Sequence, residues 1–271
     1  MPGVRFTENQ STNLATLYGR ALDARAEHPV LADKTAEEAV SKIDYDFAKF
    51  GIGASEAFSI ASRGKTFDDV VRGFIAQHDE STVVHLGAGM DSRVYRIDPP
   101  ATVRWFDVDF PAVIELRRQI YPARQNTTML GASVTDPDWL ATVPADRPTL
   151  VIAEGMSMYL TEEQGHALFR GVTGHFPSGE VFFDAYSRFG IRTQKANKVV
   201  RRAKVTLHWG IDDPNKLAAA AGLTLAERRT AGDFVHSADM AKLPRIQQWI
   251  YGVVLRLPKV RDMGQLLRYR F

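Results

Sequence analysis

The sequence predicts an α/β fold: a mostly parallel, Rossmann-like sheet with helices on both faces, preceded by a helical N-terminal segment. Three observations lead there. A β-branched run, Val83-Val84-His85-Leu86, ends in Gly87-Ala88-Gly89 and then opens into a helical pattern. A second apolar run, Val103 to Val108, ends in the carboxylate of Asp109. From residue 81 onward, strand-like and helical stretches alternate, which calls for right-handed crossovers between parallel strands. Strand, glycine turn, helix, strand and acid, in that order, open a nucleotide-binding α/β unit.

Each element can be read in turn. Residues 8–77 carry helical patterns throughout. Ser11-Thr12 can cap a first helix running to Glu27, Asp33 to Lys49 carries a second pattern, and Ser55 to Gln77 a third. In the third, Phe58, Ile60, Phe67, Val70, Val71 and Phe74 form a buried stripe. Gly51-Ile52-Gly53 separates the second from the third. Strands are expected at 82–87, 102–108, 127–131, 149–154 and 180–185, with helices at 110–121, 136–142 and 161–174 between them. Leu150-Val151-Ile152-Ala153 and Val181-Phe182-Phe183 are apolar without alternation, as in central strands covered on both faces. The tail reads as a basic helix over 190–204, a short helix from Asn215 to Ala221, a strand from Leu223 to Arg228 and a closing strand near Leu266 to Phe271. Two regions are expected, a helical cap over 1–78 and a compact binding and catalytic unit over 79–271.

Composition narrows the class. The 271 residues include 34 basic and 32 acidic side chains, so a dedicated nucleic-acid surface is not expected. There are no cysteines, which excludes disulfides, a thiolate zinc site and a cysteine nucleophile. No His/Asp/Glu spacing resembles a metal ligand set, and no nucleophile elbow appears. The N-terminus is polar, and no apolar run approaches the roughly 18 residues of a membrane span. A cytoplasmic protein without membrane or nucleic-acid partners is expected.

The glycine loop is a GxG, with Ser92 where a dinucleotide fingerprint has its third glycine. Asp91 beside it would repel a pyrophosphate but suits a cofactor bearing an amino group and a sulfonium. Asp109 suits two roles, a ribose-binding acid or a cap on the helix that Pro111 begins.

Three ordered blocks, Val84 to Ile97 (VHLGAGMDSRVYRI), Phe106 to Arg118 (FDVDFPAVIELRR) and Ala153 to Glu162 (AEGMSMYLTE), resemble the leucine carboxyl methyltransferase family. The match is nearest to its bacterial branch of polyketide O-methyltransferases. Arg20 to Glu27 is also similar, and the resemblance covers residues 12–187. It implies a class I methyltransferase fold with seven strands, the last antiparallel, and S-adenosyl-L-methionine as cofactor. It further implies that Arg63 pairs with the methionine carboxylate, that Gly87 and Gly89 lie against the methionine, and that Asp109 holds the ribose. Glu154 would face the amino or methyl end, and Tyr159 would stand near the transferred methyl. The family's Asp-Leu pair at the adenine is replaced here by Ser133-Val134, which leaves the adenine amino group to an uncharged serine, a backbone group or Asp136.

Methyl transfer from a sulfonium is an in-line displacement, so a protein mainly aligns the partners and excludes water. A carboxylate acceptor is ionised unaided and calls for an orienting cation, with Arg188 and Arg192 as candidates. A phenol calls for a base, and His208 is the histidine best placed by sequence; His85 reads as structural. Trp209, Tyr186 and Phe189 can stack on an aromatic acceptor or pack in the core. The run Arg192, Lys195, Lys198, Arg201, Arg202 and Lys204 reads as a solvated helix face. The expected reaction is O-methylation of a carboxylate or hydroxyl on a small aromatic or polyketide-like acid. Its rivals are methylation of a protein C-terminus, nicotinamide-dependent oxidoreduction and cofactor binding without turnover.

Overall fold

A computed structural model describes residues 8–196, 201, 205–230, 233, 237–243, 245–254 and 256–271. Helices α1 (Glu8–Ala24), α2 (Lys34–Lys42) and α3 (Ala54–Ile75) come first. The sheet strands are β1 (Ser81–Leu86), β2 (Val103–Asp109), β3 (Thr127–Gly131), β4 (Thr149–Ala153), β5 (Gly179–Tyr186), β6 (Thr224–Thr230) and β7 (Gly264–Arg270). Between them run α4 (Arg93–Ile97), α5 (Pro111–Ile120), α6 (Glu162–His175), α7 (Arg188–Arg192), α8 (Pro214–Ala221), α9 (Ser237–Met240), α10 (Arg245–Val254) and α11 (Pro258–Arg261).

The strand order is β3-β2-β1-β4-β5-β7-β6, and β7 runs antiparallel to both neighbours. All other pairings are parallel. The order reverses between β1 and β4, which makes a crevice at their carboxyl ends.

Side chains alternate across the sheet, and both faces are covered. Val84, Leu86, Phe106, Val151 and Phe183 pack with α6 and α8 on one side. Val83, Trp105, Leu150, Ile152 and Phe182 pack on the other side against Phe67, Val70, Val71 and Phe74 of α3. The predicted stripe of α3 is therefore buried. Its carboxyl half is fixed beneath the sheet while its amino half extends over the strand ends. Burial of such side chains contributes roughly 1.5–3 kcal/mol each.

Several boundaries differ from expectation. α1 begins at Glu8, so Ser11 and Thr12 lie inside the helix rather than capping it. The second pattern breaks after Lys42, because the chain leaves the helix to bury Ile43, Phe47 and Phe50 in an aromatic cluster with Tyr18 and Tyr45. The stretch expected as a helix at 136–142 is a 3-10 turn that Asp136 caps and Pro137 begins. Of the basic helix expected over 190–204, α7 and a 3-10 turn at Gln194–Ala196 are described; Lys198, Arg202 and Lys204 lie outside the described residues. Among the described residues, no helix is long and apolar enough to cross a membrane.

Candidate active site

A cavity of about 380 Å³ opens at the carboxyl ends of β1, β4 and β5. Thr12, Asn13, Thr16 and Arg20 of α1 and Ser59, Ile60, Ser62 and Arg63 of α3 close it from above. The loop after β1 forms its floor, and Met263 to Gln265 at the start of β7 form one edge.

The floor requires glycine. Gly87 and Gly89 adopt left-handed backbone, with φ of 61° and 51°. A Cβ on Gly87 would meet Met156 Cγ at 2.8 Å, and one on Gly89 would meet Asn13 Oδ1 at 2.8 Å. The loop is tied to the end of β2: Gly87 N–H donates to Val108 O at 2.8 Å, and Gly89 N–H to Asp109 Oδ2 at 2.7 Å. Asp109 Oδ1 accepts from Phe110 N–H at 2.7 Å. Burial pushes the Asp109 carboxyl up, more than these amides pull it down.

Beside the floor lies a lattice of buried charge. Glu154, at the end of β4, accepts from Arg63 Nε at 3.0 Å and Arg20 at 3.4 Å, and pairs with Arg93. Arg63 Nη1 donates to Asp184, at the end of β5, at 2.9 Å. Asp91 pairs with Arg20 at 3.0 Å, Arg93 at 3.1 Å and Arg96 at 2.8 Å. Asp68 of α3 holds Arg93 and Arg96, and Asp33 holds Arg96 and Ser92. Burial alone would raise Glu154, but the guanidiniums of Arg63, Arg93 and Arg20 outweigh it and hold the carboxyl at about 2. Asp91 is likewise held well below the usual range against its burial, by Arg20, Arg93 and Arg96. At Asp184 burial wins and the carboxyl is pushed up.

This donor set fits S-adenosylmethionine. Asp33, Asp68, Asp91, Glu154 and Asp184 face Arg20, Arg63, Arg93 and Arg96, one formal negative charge more than positive. The cofactor's ammonium and sulfonium outnumber its carboxylate by one. Arg63 Nη2 makes no hydrogen bond among the described residues, and Arg20 Nε and Ser62 Oγ are buried without partners. These groups supply donors for a carboxylate beside the glycine loop.

The sequence-predicted residues divide into two groups. Arg63, Gly87, Gly89, Glu154 and Tyr159 line the cavity, and Asp109 binds the loop that forms its floor. Tyr159 hydrogen-bonds Thr12, and burial pushes its hydroxyl up. Ser133 and Val134 lie past β3, off the cavity wall, where Ser133 Oγ is engaged with Thr135. Arg188 and His208 are not on the wall either. Arg188 lies exposed near Asp212, over a separate groove with His166, because Ser187 caps α7 and the helix leads away from the sheet. His208 is exposed, and its backbone N–H holds Met158 O at 2.8 Å. Arg192 is also exposed and off the wall. Trp209 packs in the core against Gly165 and Phe169, Tyr186 lines the cavity and Phe189 is exposed. His85 is buried between Arg93 and Asp107.

Sequence reasoning missed Arg20 and Asp184. Asp184 interrupts an apolar run two residues before the end of β5, so an acid at the carboxyl end of a strand was again the available signal. Arg20 heads the family-similar block Arg20 to Glu27, which carried no role for it. Phe110, next to Asp109, is a large apolar side chain left 48% exposed at the same end of the sheet.

The sequence pattern of the leucine carboxyl methyltransferase family matches residues 13–173. The tetracenomycin polyketide synthesis O-methyltransferase TcmP of Streptomyces glaucescens is 41% identical over 269 residues, covering 99% of this chain and 98% of that protein. An S-adenosyl-L-methionine-dependent methyltransferase of Gibberella zeae, dpfgK, is 33% identical over 96% of this chain and 93% of its own length. Among solved structures, a methyltransferase from Thermobifida fusca described as putative superposes with a TM-score of 0.58 at 17% identity, over 93% of both chains. The magnesium protoporphyrin IX methyltransferase of Synechocystis with bound SAH gives 0.51 at 12% identity, over 81% of this chain and 88% of that one. These two structures share the fold.

Proposed function

This chain belongs to the leucine carboxyl methyltransferase family and is an S-adenosylmethionine-dependent methyltransferase, and from that premise we propose that it O-methylates a small aromatic or polyketide-like acid at a carboxylate. The bound cofactor supplies an activated methyl on a sulfonium. Arg63 and Arg20 orient its carboxylate, Asp91 and Glu154 balance its ammonium, and the loop of Gly87 and Gly89 gives it close backbone contact. Asp109, at the end of β2 beside the glycine loop, would hold the ribose hydroxyls. Ser133 and Val134 stay candidates for the adenine edge, with Phe110 against the ring. Residues 1–78 act as the cap and 79–271 as the catalytic unit.

The observation that carries the carboxylate reading is the composition of the acceptor end. Met158, Tyr159, Tyr186, Leu207, Val260 and Met263 form an apolar and aromatic wall that excludes water. The wall has one histidine among the described residues, His85, and it is held between Arg93 and Asp107. The Tyr159 hydroxyl, with its affinity for the proton raised, donates rather than removes a proton. A carboxylate acceptor needs no base, whereas a phenol does; the orienting cation expected at Arg188 or Arg192 is not on this wall among the described residues, so the Tyr159 hydroxyl takes the orienting role as a hydrogen-bond donor. TcmP, by its name an O-methyltransferase of polyketide synthesis, supports the acceptor class.

The test is transfer of labelled methyl to three sets of acceptors: aromatic carboxylic acids, matched phenols and peptides with a free C-terminus. Turnover is expected with the acids, with a rate independent of pH between neutrality and mild alkalinity. Turnover confined to peptides, or a rate on phenols that climbs with pH and exceeds that on the acids, would overturn the reading.

A further inference from the structure

The segment joining β6 to β7 carries an apolar face that no described residue covers. Ile246, Trp249 and Val253 on α10 fall within about 60° of one another at the helical repeat. Trp249 is 66% exposed and Ile246 63%, and Leu257 continues the ridge past the helix end. The chain's other tryptophans, Trp105, Trp139 and Trp209, are all buried. Around the ridge, Arg245, Arg256 and Lys259 are exposed and in no ion pair among the described residues. Between Met240 and Arg261 the chain has four basic residues and no acidic one. The stretch before α10 is anchored to the rest of the molecule: Lys65 pairs with Asp239 at 2.9 Å, Lys242 donates to Pro29 O at 2.9 Å, and Leu243 is buried. The segment then reaches the cavity, where Val260 and Met263 form part of the wall.

We propose that this face docks on an anionic lipid surface, with Ile246, Trp249, Val253 and Leu257 in the interface and Arg245, Arg256 and Lys259 against acidic headgroups. A helix with tryptophan and aliphatic residues on one face and unpaired cations beside it is the form that lies in a membrane–water interface. A lipid interface receives such an exposed apolar ridge without a matching groove. A second copy of the chain packed two-fold on this face would bring the same cations together. The cavity mouth then opens beside the interface, where apolar acceptors concentrate. The docking claim holds whichever group is methylated.

The test is flotation of the full-length enzyme with vesicles of phosphatidylglycerol and phosphatidylcholine, against phosphatidylcholine alone. Binding to the anionic vesicles is expected to be tighter by at least about tenfold and to weaken with salt. Trp249 emission should shift to the blue on binding. Combined Ile246→Ser and Trp249→Ala should abolish flotation while leaving turnover of a dissolved acceptor unchanged. Combined Arg245→Gln, Arg256→Gln and Lys259→Gln should remove the preference for anionic lipid. An active enzyme that floats with neither vesicle overturns the proposal. So does a concentration-dependent dimer that Trp249→Ala dissolves, or capture by an acidic protein without vesicle binding.

Discussion

The two ends of the cavity are built in opposite ways. At the proposed cofactor end, side chains from α1, α3, the β1 loop, β4 and β5 meet in a buried lattice of ion pairs, and nearly every charge has two or three partners. At the acceptor end, the wall is apolar and aromatic, drawn partly from the 3-10 turn at Ser157–Tyr159 and from segments flanking β7. The first end is rigid because an unpaired charge there is costly to bury. The second can vary its shape by exchanging apolar side chains, each at a smaller cost.

The largest effect should come from breaking the lattice. Glu154→Gln leaves Arg93, which is fully buried, short of its acid, and removing one partner of a buried pair costs about 3–5 kcal/mol. Chemical denaturation should show that loss, and a shift under about 1 kcal/mol would mean that Asp68 and Asp91 suffice for Arg93. Arg63→Ala should weaken cofactor binding by about 2–5 kcal/mol in calorimetry, with Arg63→Lys intermediate because a single ammonium lacks the planar fork. Unchanged affinity in Arg63→Ala would assign the carboxylate to Arg20 instead.

The same lattice has a pH signature. Glu154 stands at about 2 in the folded protein against an ordinary 4.5. A depressed carboxyl contributes stability above its unfolded value, and that contribution is lost as pH falls from 4.5 through about 2. Asp184, pushed up by burial, has the opposite sign: its contribution is present at low pH and fades as pH rises through its folded value. Denaturation midpoints followed against pH should fall most steeply in the Glu154 window, and Glu154→Gln should flatten that fall. The smallest effect is expected at the acceptor end. Tyr159→Phe removes one hydroxyl from the wall and should raise the acceptor KM by about 0.5–1.5 kcal/mol in equivalent binding, with cofactor affinity unchanged.

The same contrast explains what could be read in advance. The five parallel strands, the glycine loop and Asp109 were legible because an apolar run ending in glycine or acid is a local pattern, and the antiparallel closing strand followed from the resemblance. Arg63 and Glu154 were legible only through that resemblance; no spacing in the chain links residues 91 positions apart. The lattice partners Arg20 and Asp184 depend on where α1 meets the ends of β1 and β4 and where α3 meets β5, which is tertiary information. Distance along the chain from β5 points to Arg188 and His208, but the chain turns outward there. Ser187 caps α7, and Trp209 enters the core beside Gly165, leaving its neighbour His208 exposed.

The most direct measurement is a crystal structure with S-adenosylhomocysteine bound. Its carboxylate should lie within hydrogen-bond distance of Arg63, its ribose hydroxyls on Asp109, and its sulfur should face Tyr159. A ligand bound away from the Gly87–Gly89 loop, with no contact between its carboxylate and Arg63, would contradict the assignment of this cavity as the methyl-transfer site.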